Sequence, residues 1–199
     1  MKHSSFMATG FILTIIFFGA SVQAEQSPED PIQTLRSDIR EMGHKAYTIW
    51  EFLNGAQEVM ERTMADIEEQ GPNFNEDYVA GEWAGAEYFI EKAYYLSGGL
   101  TERVKSILEQ SQVEPDSEAH EAAVWLLDEL KLVVEKQEVC HQTKLQLDST
   151  VEAVFGAATN PNIQAHPAIF FGSAEIGCQT PLVDDAIAPV EELASKTRP

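Results

Sequence analysis

The stretch PIQTLRSDIREMGHKAYTIWEFLNGAQEVMERTMADIEE, residues 31–69, decides the fold because its apolar and small residues recur at steps of three and four. They are Ile32, Leu35, Ile39, Met42, Ala46, Ile49, Leu53, Ala56, Met60, Met64 and Ile67. Residues with this spacing share one face of an α-helix, and the stripe lasts for more than five heptads. Asp30 and Pro31 are suited to start the helix, and QGPN at 70–73 is suited to end it. The stretch therefore predicts one long bundle helix.

A second stripe spans residues 79–107, but Gly98 and Gly99 interrupt it. Its members are Val79, Trp83, Ala86, Ile90, Ala93, Ser97, Leu100, Val104 and Ile107. Two interior glycines cost a helix about 2 kcal/mol relative to alanine, and Thr101 can cap a new helix, which favours a break. The stripe nevertheless keeps its register across the glycine pair. We therefore expect one helix, kinked at Gly98-Gly99, that runs to about Ser111.

A third stripe follows the acidic segment VEPDSEAHE, in which Asp116 or Ser117 can cap a helix. Its members are Ala123, Leu126, Leu130, Val133, Gln137, Cys140, Lys144, Leu147, Val151 and Val154. Three long amphipathic segments joined by short turns predict an all-α protein, arranged as an up-down-up bundle of three long helices.

The helical period fails beyond residue 158, so we expect an irregular C-terminal segment. A short terminal helix is predicted near Leu182 to Ala194 despite Pro189, with frayed residues at 195–199. These parts belong with the bundle in a single domain, residues 25–199, because the length suits one core.

The first 24 residues have the organisation of a secretory signal peptide. Lys2 supplies a positive charge, the run from Phe11 to Phe18 is apolar, and Val22-Gln23-Ala24 is a small-residue cleavage site. The apolar run is about half the length that a membrane span needs, so we expect cleavage near Ala24 and no stable membrane anchor. The predicted location is periplasmic or extracellular.

The two cysteines, Cys140 and Cys178, are predicted to form a disulfide because exported proteins mature under oxidising conditions. The bond would pin the C-terminal segment, residues 159–199, to the third helix. By the chain-entropy model it would stabilise the fold by about 4 kcal/mol. Free thiols and an intermolecular bridge are the alternatives.

The charge is strongly negative: 13 Lys and Arg against 33 Asp and Glu, a formal net charge of -20. Such a chain repels phosphate backbones and anionic lipids, so it disfavours nucleic acid and peripheral membrane attachment. It would attract a protein with a basic surface or loosely held divalent cations, although the charge can also serve solubility alone. Long stripes also permit a dimer.

One constellation at the waist of the bundle is a candidate ligand site. In matched antiparallel helices Tyr94 and Tyr95 come to the height of Gln137 and Lys144, and the last two occupy stripe positions where a core prefers aliphatic residues. Gln137 and Lys144 would need polar partners there: they could bond to each other, to the C-terminal segment or to a ligand.

Metal and cofactor signals are weaker. The steps Glu41 to His44 and Glu138 to His141 match the spacing of a di-iron bundle, but His44 falls on the solvent face and the two histidines lie at different heights. His120 is expected to be exposed in an acidic first turn. We predict no cofactor, while a b-type haem held by Met and His is left open.

No GxSxG or GxxxxGK[ST] motif occurs, so the sequence singles out no catalytic residue and favours a function other than catalysis. An enzyme whose catalytic carboxylates cannot be told from solvated ones is a third hypothesis, after the two that follow. The first hypothesis is an exported acidic helical bundle that binds a basic protein partner without catalysis. The alternative is a carrier of a small ligand, metal or haem that uses a pocket at the bundle waist.

Overall fold

All regular secondary structure in the described part of the chain is helical. The computed structural model describes residues 30–71, 76–110, 113–155, 178 and 183–199. The helices are α1 (Pro31–Gln70), α2 (Glu76–Ser97), α3 (Leu100–Gln110), α4 (Ser117–Phe155) and α5 (Asp184–Thr197). The all-α prediction is confirmed over these ranges, which contain no strand. The predicted signal peptide and the segment 159–177 lie outside them.

The first helix begins and ends where the sequence predicts. Asp30 is the N-cap, and its Oδ1 accepts a hydrogen bond from the Ile32 amide at 3.1 Å. Pro31 occupies the first turn, where its missing N–H costs no intrahelical bond. Gly71 closes the helix at a φ of 57°, a left-handed conformation that suits glycine, and its amide donates to the carbonyl of Ile67.

The second segment is two helices, which corrects the expectation of one kinked helix. The chain turns at Gly98 and Gly99, and Gly99 has a φ of 80°. A helix cannot continue through that conformation, so α3 starts afresh, with the Arg103 amide donating to the Gly99 carbonyl at 2.9 Å. The stripe does keep its register, because Ser97 and Leu100 are both buried.

The α4 helix also starts at a predicted cap. Asp116 Oδ1 accepts a hydrogen bond from the Ala119 amide at 2.7 Å, so Asp116 rather than Ser117 is the capping residue.

The ends of the helices are placed by ion pairs that cross between them. Near the start of α1, Arg36 binds Asp116, so the N-terminal ends of α1 and α4 lie together. Near the end of α1, Arg62 pairs with Glu82 at the start of α2. Contacts of α1 with α4 and with α2 build most of the described core.

The last helix, α5, packs against α3 and α4 at the end of the molecule where α1 begins. The carbonyl of Thr197 accepts from the Asp116 amide at 2.9 Å, and His120 Nδ1 lies 2.8 Å from the Ala194 carbonyl. The predicted terminal helix is confirmed, with Pro189 inside it.

Two related expectations are corrected: of the residues 195–199 expected to fray, 195–197 belong to α5, and His120 is not exposed. Thr197 is fully buried, and its hydroxyl donates to the Leu193 carbonyl at 2.9 Å. His120 is half-buried because α5 covers it.

Within the described ranges, no helix has the length and apolar character needed to cross a membrane.

Candidate functional site

The four residues of the predicted waist site divide into two exposed and two buried side chains. Tyr94 and Tyr95 project outward from α2, and Tyr95 is 72% exposed. Gln137 and Lys144 are buried on α4 as their stripe positions predict, and Lys144 is 5% exposed. The two residues of α4 thus belong to the packed interior, whereas the two tyrosines face outward.

Lys144 has protein partners of its own. Its Nζ donates to Asp148 Oδ2 at 2.9 Å and lies 5.5 Å from the centre of the Trp83 ring. Trp83 precedes Tyr95 by twelve residues on α2, a distance of about 18 Å along a helix. Tyr95 instead borders a small depression beside Lys45. The structure therefore does not bring the four predicted residues into one pocket.

The predicted disulfide lies beside this polar region. Cys140 and Cys178 are both fully buried and bonded, with their Cα atoms 5.7 Å apart. The pairing of the two cysteines is confirmed.

Two buried polar atoms have no hydrogen-bond partner among the described residues: Trp83 Nε1, whose ring lies below Lys144, and His141 Nδ1, next to Cys140 in the sequence. A buried polar group without a partner costs about 1–3 kcal/mol, so water or another polar molecule would stabilise this region by bonding to either atom.

The two Glu-x-x-His steps do not build a metal centre in the described residues, where no three His, Cys, Asp or Glu side chains come together. Glu41 pairs with Lys45 at 2.8 Å, and the Lys45 ammonium lowers the pKa of Glu41. Glu138 accepts from Gln142, and His44 is exposed, as predicted.

A different set of side chains forms the most distinctive surface. On one side of the molecule α1 and α4 place aromatic rings next to each other, flanked by carboxylates. We define the α1–α4 aromatic surface by His44, Tyr47, Trp50 and Glu51 on α1 and Trp125, Glu129, Leu132 and Lys136 on α4.

The register of α1 against α4 aligns these residues. Hydrogen bonds join Arg36 to Glu118 and Asn54 to Lys136, and each pair is 82 residues apart in sequence. The same offset relates Trp50 to Leu132 and Gly43 to Trp125.

Trp125 lies against α1 at a glycine. A Cβ atom at Gly43 would come within 2.2 Å of Trp125 Cζ3, so only glycine leaves room for the ring in this position. The imidazole of His44 also contacts the Trp125 ring, edge to face, with the ring centres 5.2 Å apart. Trp125 is thereby fixed between the helices while part of its ring stays exposed.

The next aromatic pair along α1 is Tyr47 and Trp50. Their rings stack with centres 6.3 Å apart, and Tyr47 is 44% exposed. Lys136 holds its ammonium 5.0 Å from the centre of the Trp50 ring, donating to Asn54 Oδ1 at 2.8 Å. This arrangement shows that a cation is accommodated on the face of an aromatic ring here.

Two carboxylates border the rings. Trp125 Nε1 donates to Glu129 Oε1 at 2.9 Å. The hydrogen bond with Glu51, helped by the charges of Glu51 and Glu129, raises the pKa of the Tyr47 hydroxyl. Glu129 is thus oriented by an aromatic donor, and a carboxylate has lone pairs for several hydrogen bonds.

Leu132 extends the apolar part of this surface and is 47% exposed. Exposed apolar and aromatic side chains that cluster within a polar rim are typical of protein interaction sites. The chemistry of the surface therefore suits binding of apolar and cationic groups.

A cavity of about 700 Å³ lies elsewhere, between the start of α1 and α3. Its walls include Leu35, Ile107, Glu114 and Asp116. Arg36 and the Ala119 amide hold the Asp116 carboxylate and lower its pKa to about 2. Asp116 therefore serves α4 as a cap and α1 as an ion-pair partner.

No family model, no curated protein and no solved structure matches the chain.

Sequence reasoning missed most of the aromatic surface. Tyr47, Trp125 and Leu132 are large apolar or aromatic residues that fall outside the stripes. Such residues on helix faces that the core does not use could have indicated a binding surface. The offset between α1 and α4, which sets these residues side by side, could not be read from either stripe alone.

Proposed function

We propose that the protein is an exported, acidic helical-bundle protein that binds a protein partner with a basic surface and does so without catalysis. The observation that carries the proposal is the α1–α4 aromatic surface, where Tyr47, Trp50 and Trp125 are aligned and bordered by Glu51 and Glu129. Tyrosine and tryptophan supply a large share of binding energy at protein interfaces.

The electrostatics of the whole chain support a cationic partner. A net charge of -20 raises the encounter rate with a basic protein and opposes self-association through a face that lacks compensating positive charge. Export is part of the proposal, and the leader-like residues 1–24 support it. So is the up-down-up order of the three long segments, which the cross-helix ion pairs support.

The test is affinity capture from the exported proteins of the source cell with chain recovered from an oxidising compartment. The Trp50→Ala/Leu132→Ala variant removes apolar area from the surface. The control is Tyr88→Ala/Leu145→Ala, which removes an aromatic and an aliphatic residue from other faces. Leu145 and Leu132 are equally exposed, and Tyr88 is more exposed than the half-buried Trp50.

A supporting result is a basic protein that the wild type and the control retain and the surface variant loses at least tenfold. Retention should also fall steeply with added salt, because surface charges are screened. A partner that binds all three forms equally would contradict the role of this surface, and a partner with an acidic surface would contradict the proposed chemistry.

A small-ligand carrier is the second candidate, favoured by Trp83 Nε1 and His141 Nδ1, two buried atoms that have no hydrogen-bond partner within the described ranges. A metal or haem belongs to the same alternative. A light-absorption spectrum, elemental analysis and native mass spectrometry of the exported chain, purified without chelators, test it. A stoichiometric bound species would support this candidate, whereas a colourless chain with the mass of residues 25–199 alone would contradict it.

A further inference from the structure

We propose that Tyr47, Glu51, Trp125 and Glu129 form a binding site for a guanidinium group, and that its occupant is an arginine side chain of the basic partner. The inference rests on the proposed function and names the group that the aromatic surface recognises. Tyr47 and Glu51 lie on α1, and Trp125 and Glu129 lie on the neighbouring helix α4.

The aromatic part of the site offers ring faces to a planar cation. Tyr47 is close to half exposed, and its stacked neighbour Trp50 already has the Lys136 ammonium on its own ring. A guanidinium is less strongly hydrated than an ammonium and stacks on aromatic rings. Tyr47 therefore provides a surface on which an incoming arginine can lie beside Lys136 without displacing it.

The carboxylates supply the charge. Glu51 stands one helical turn after Tyr47 on α1, and Glu129 stands one turn after Trp125 on α4. The Trp125 indole N–H holds Glu129, which limits the rotamer freedom that binding would otherwise have to remove. The charges of Glu51 and Glu129 both reach the Tyr47 hydroxyl and raise its pKa, so the two carboxylates lie on the same side of the rings. The five N–H donors of a guanidinium match two such acceptors better than the three donors of lysine do.

The charges facing the site leave it negative. Lys136 is engaged with Asn54 and Gln57, and Arg40, further towards the start of α1, lies 3.8 Å from Glu118. Both cations therefore have partners outside the site. The carboxylates Glu51 and Glu129 remain to meet a third cation.

The experiment uses three synthetic helical peptides with the same leucine positions and with arginine, lysine or citrulline at the remaining positions. Citrulline keeps the shape of arginine but is neutral. Isothermal titration calorimetry measures the Kd of each peptide for the exported, disulfide-bonded chain. The same measurement is made for Glu51→Gln/Glu129→Gln and for the control Glu91→Gln/Glu102→Gln, which removes equal charge from exposed positions on α2 and α3.

We expect the arginine peptide to bind the wild type about tenfold more tightly than the citrulline peptide, since hydrogen bonds to charged groups are stronger than neutral ones. The lysine peptide should fall between them. The Glu51→Gln/Glu129→Gln variant should lose that preference, and the control should keep it.

Other outcomes overturn the proposal in distinguishable ways. If the control loses as much affinity as the site variant, only the overall charge matters. If all three peptides bind alike but Trp50→Ala weakens them, the aromatic surface binds partners without a guanidinium site. If no peptide binds, the site is refuted, whereas the proposed function is judged separately by the capture experiment.

Discussion

The two halves of α4 are held in the fold by different means. From Ala119 to Val133 the buried positions are all apolar, and α5 covers this half. From Gln137 to Val151 the buried positions include Gln137, Thr143 and Lys144, and the disulfide at Cys140 lies among them. The stripe on α4 keeps one period along its whole length, but the side chains that pack it change from apolar residues to polar residues and a disulfide.

Removing the disulfide should have the largest effect on how the second half of α4 is held. Cys140→Ser/Cys178→Ser should lower the free energy of unfolding by about 4 kcal/mol, because the bond closes a separation of 38 residues. Urea denaturation followed by far-UV circular dichroism measures the loss. Wild type under reducing conditions is the control, since it lacks the bond but gains no buried hydroxyl. A loss below about 1 kcal/mol in both would mean that other contacts hold the second half of α4.

The buried positions of the first half should depend on apolar packing. Leu130→Ala should cost about 3 kcal/mol, since Leu130 is fully buried and the cavity adds to the lost transfer energy. Leu132→Ala is the matched control, two residues away with an exposed side chain, and should change stability by less than about 0.5 kcal/mol. Equal urea midpoints for the two variants would contradict the assigned burial.

The second half should tolerate the loss of its buried charge. Lys144→Met removes the ammonium from the face of Trp83 but leaves an unbranched side chain whose sulfur can contact the ring. Asp148, its ion-pair partner, is 24% exposed, so water can solvate the carboxylate that is left. We expect a change within about 1 kcal/mol of wild type, measured by urea denaturation with the disulfide intact. A loss above about 3 kcal/mol would show that the ammonium is essential to the polar region. Lys131→Met, at an exposed position, controls for the change in net charge.

The same contrast explains which parts of the fold could be predicted from the sequence. The periodicity of Leu35 to Ile67 and the cap at Asp30 are local properties, and they predicted α1 to within a residue. The break at Gly99 depended on a backbone conformation that glycine permits but does not require. At the glycine pair, low helix propensity favoured a break and the continuous stripe favoured one helix; the structure has the break.

The candidate site was harder to predict because it depends on the packing between helices. Gln137 and Lys144 are polar residues at core positions, and the sequence predicted their burial but not their separation from Tyr95. Trp125 reaches its place only because Gly43 faces it across the α1–α4 contact. Such a pairing requires the offset between two helices, which no single-helix pattern contains.

The smallest expected effect concerns the end of α4 that Asp116 caps. Its carboxylate is held first by Arg36 and then by the Ala119 amide, and its pKa is lowered to about 2. A lowered folded-state pKa means that the contribution to stability is present above the unfolded pKa and is lost as the pH falls towards the folded value. The contribution should therefore disappear between about pH 4 and pH 2.

Asp116→Asn separates the charge from the cap, because asparagine also caps helices well. The variant should be slightly less stable than wild type near neutral pH, and the difference between their urea midpoints should vanish as the pH approaches 2. Glu114→Gln removes the same charge from an exposed neighbour and should not show this convergence. A difference that persists unchanged at low pH would assign the role of Asp116 to capping geometry rather than to its ion pair with Arg36, and the two halves of α4 would then differ less in how they use charge.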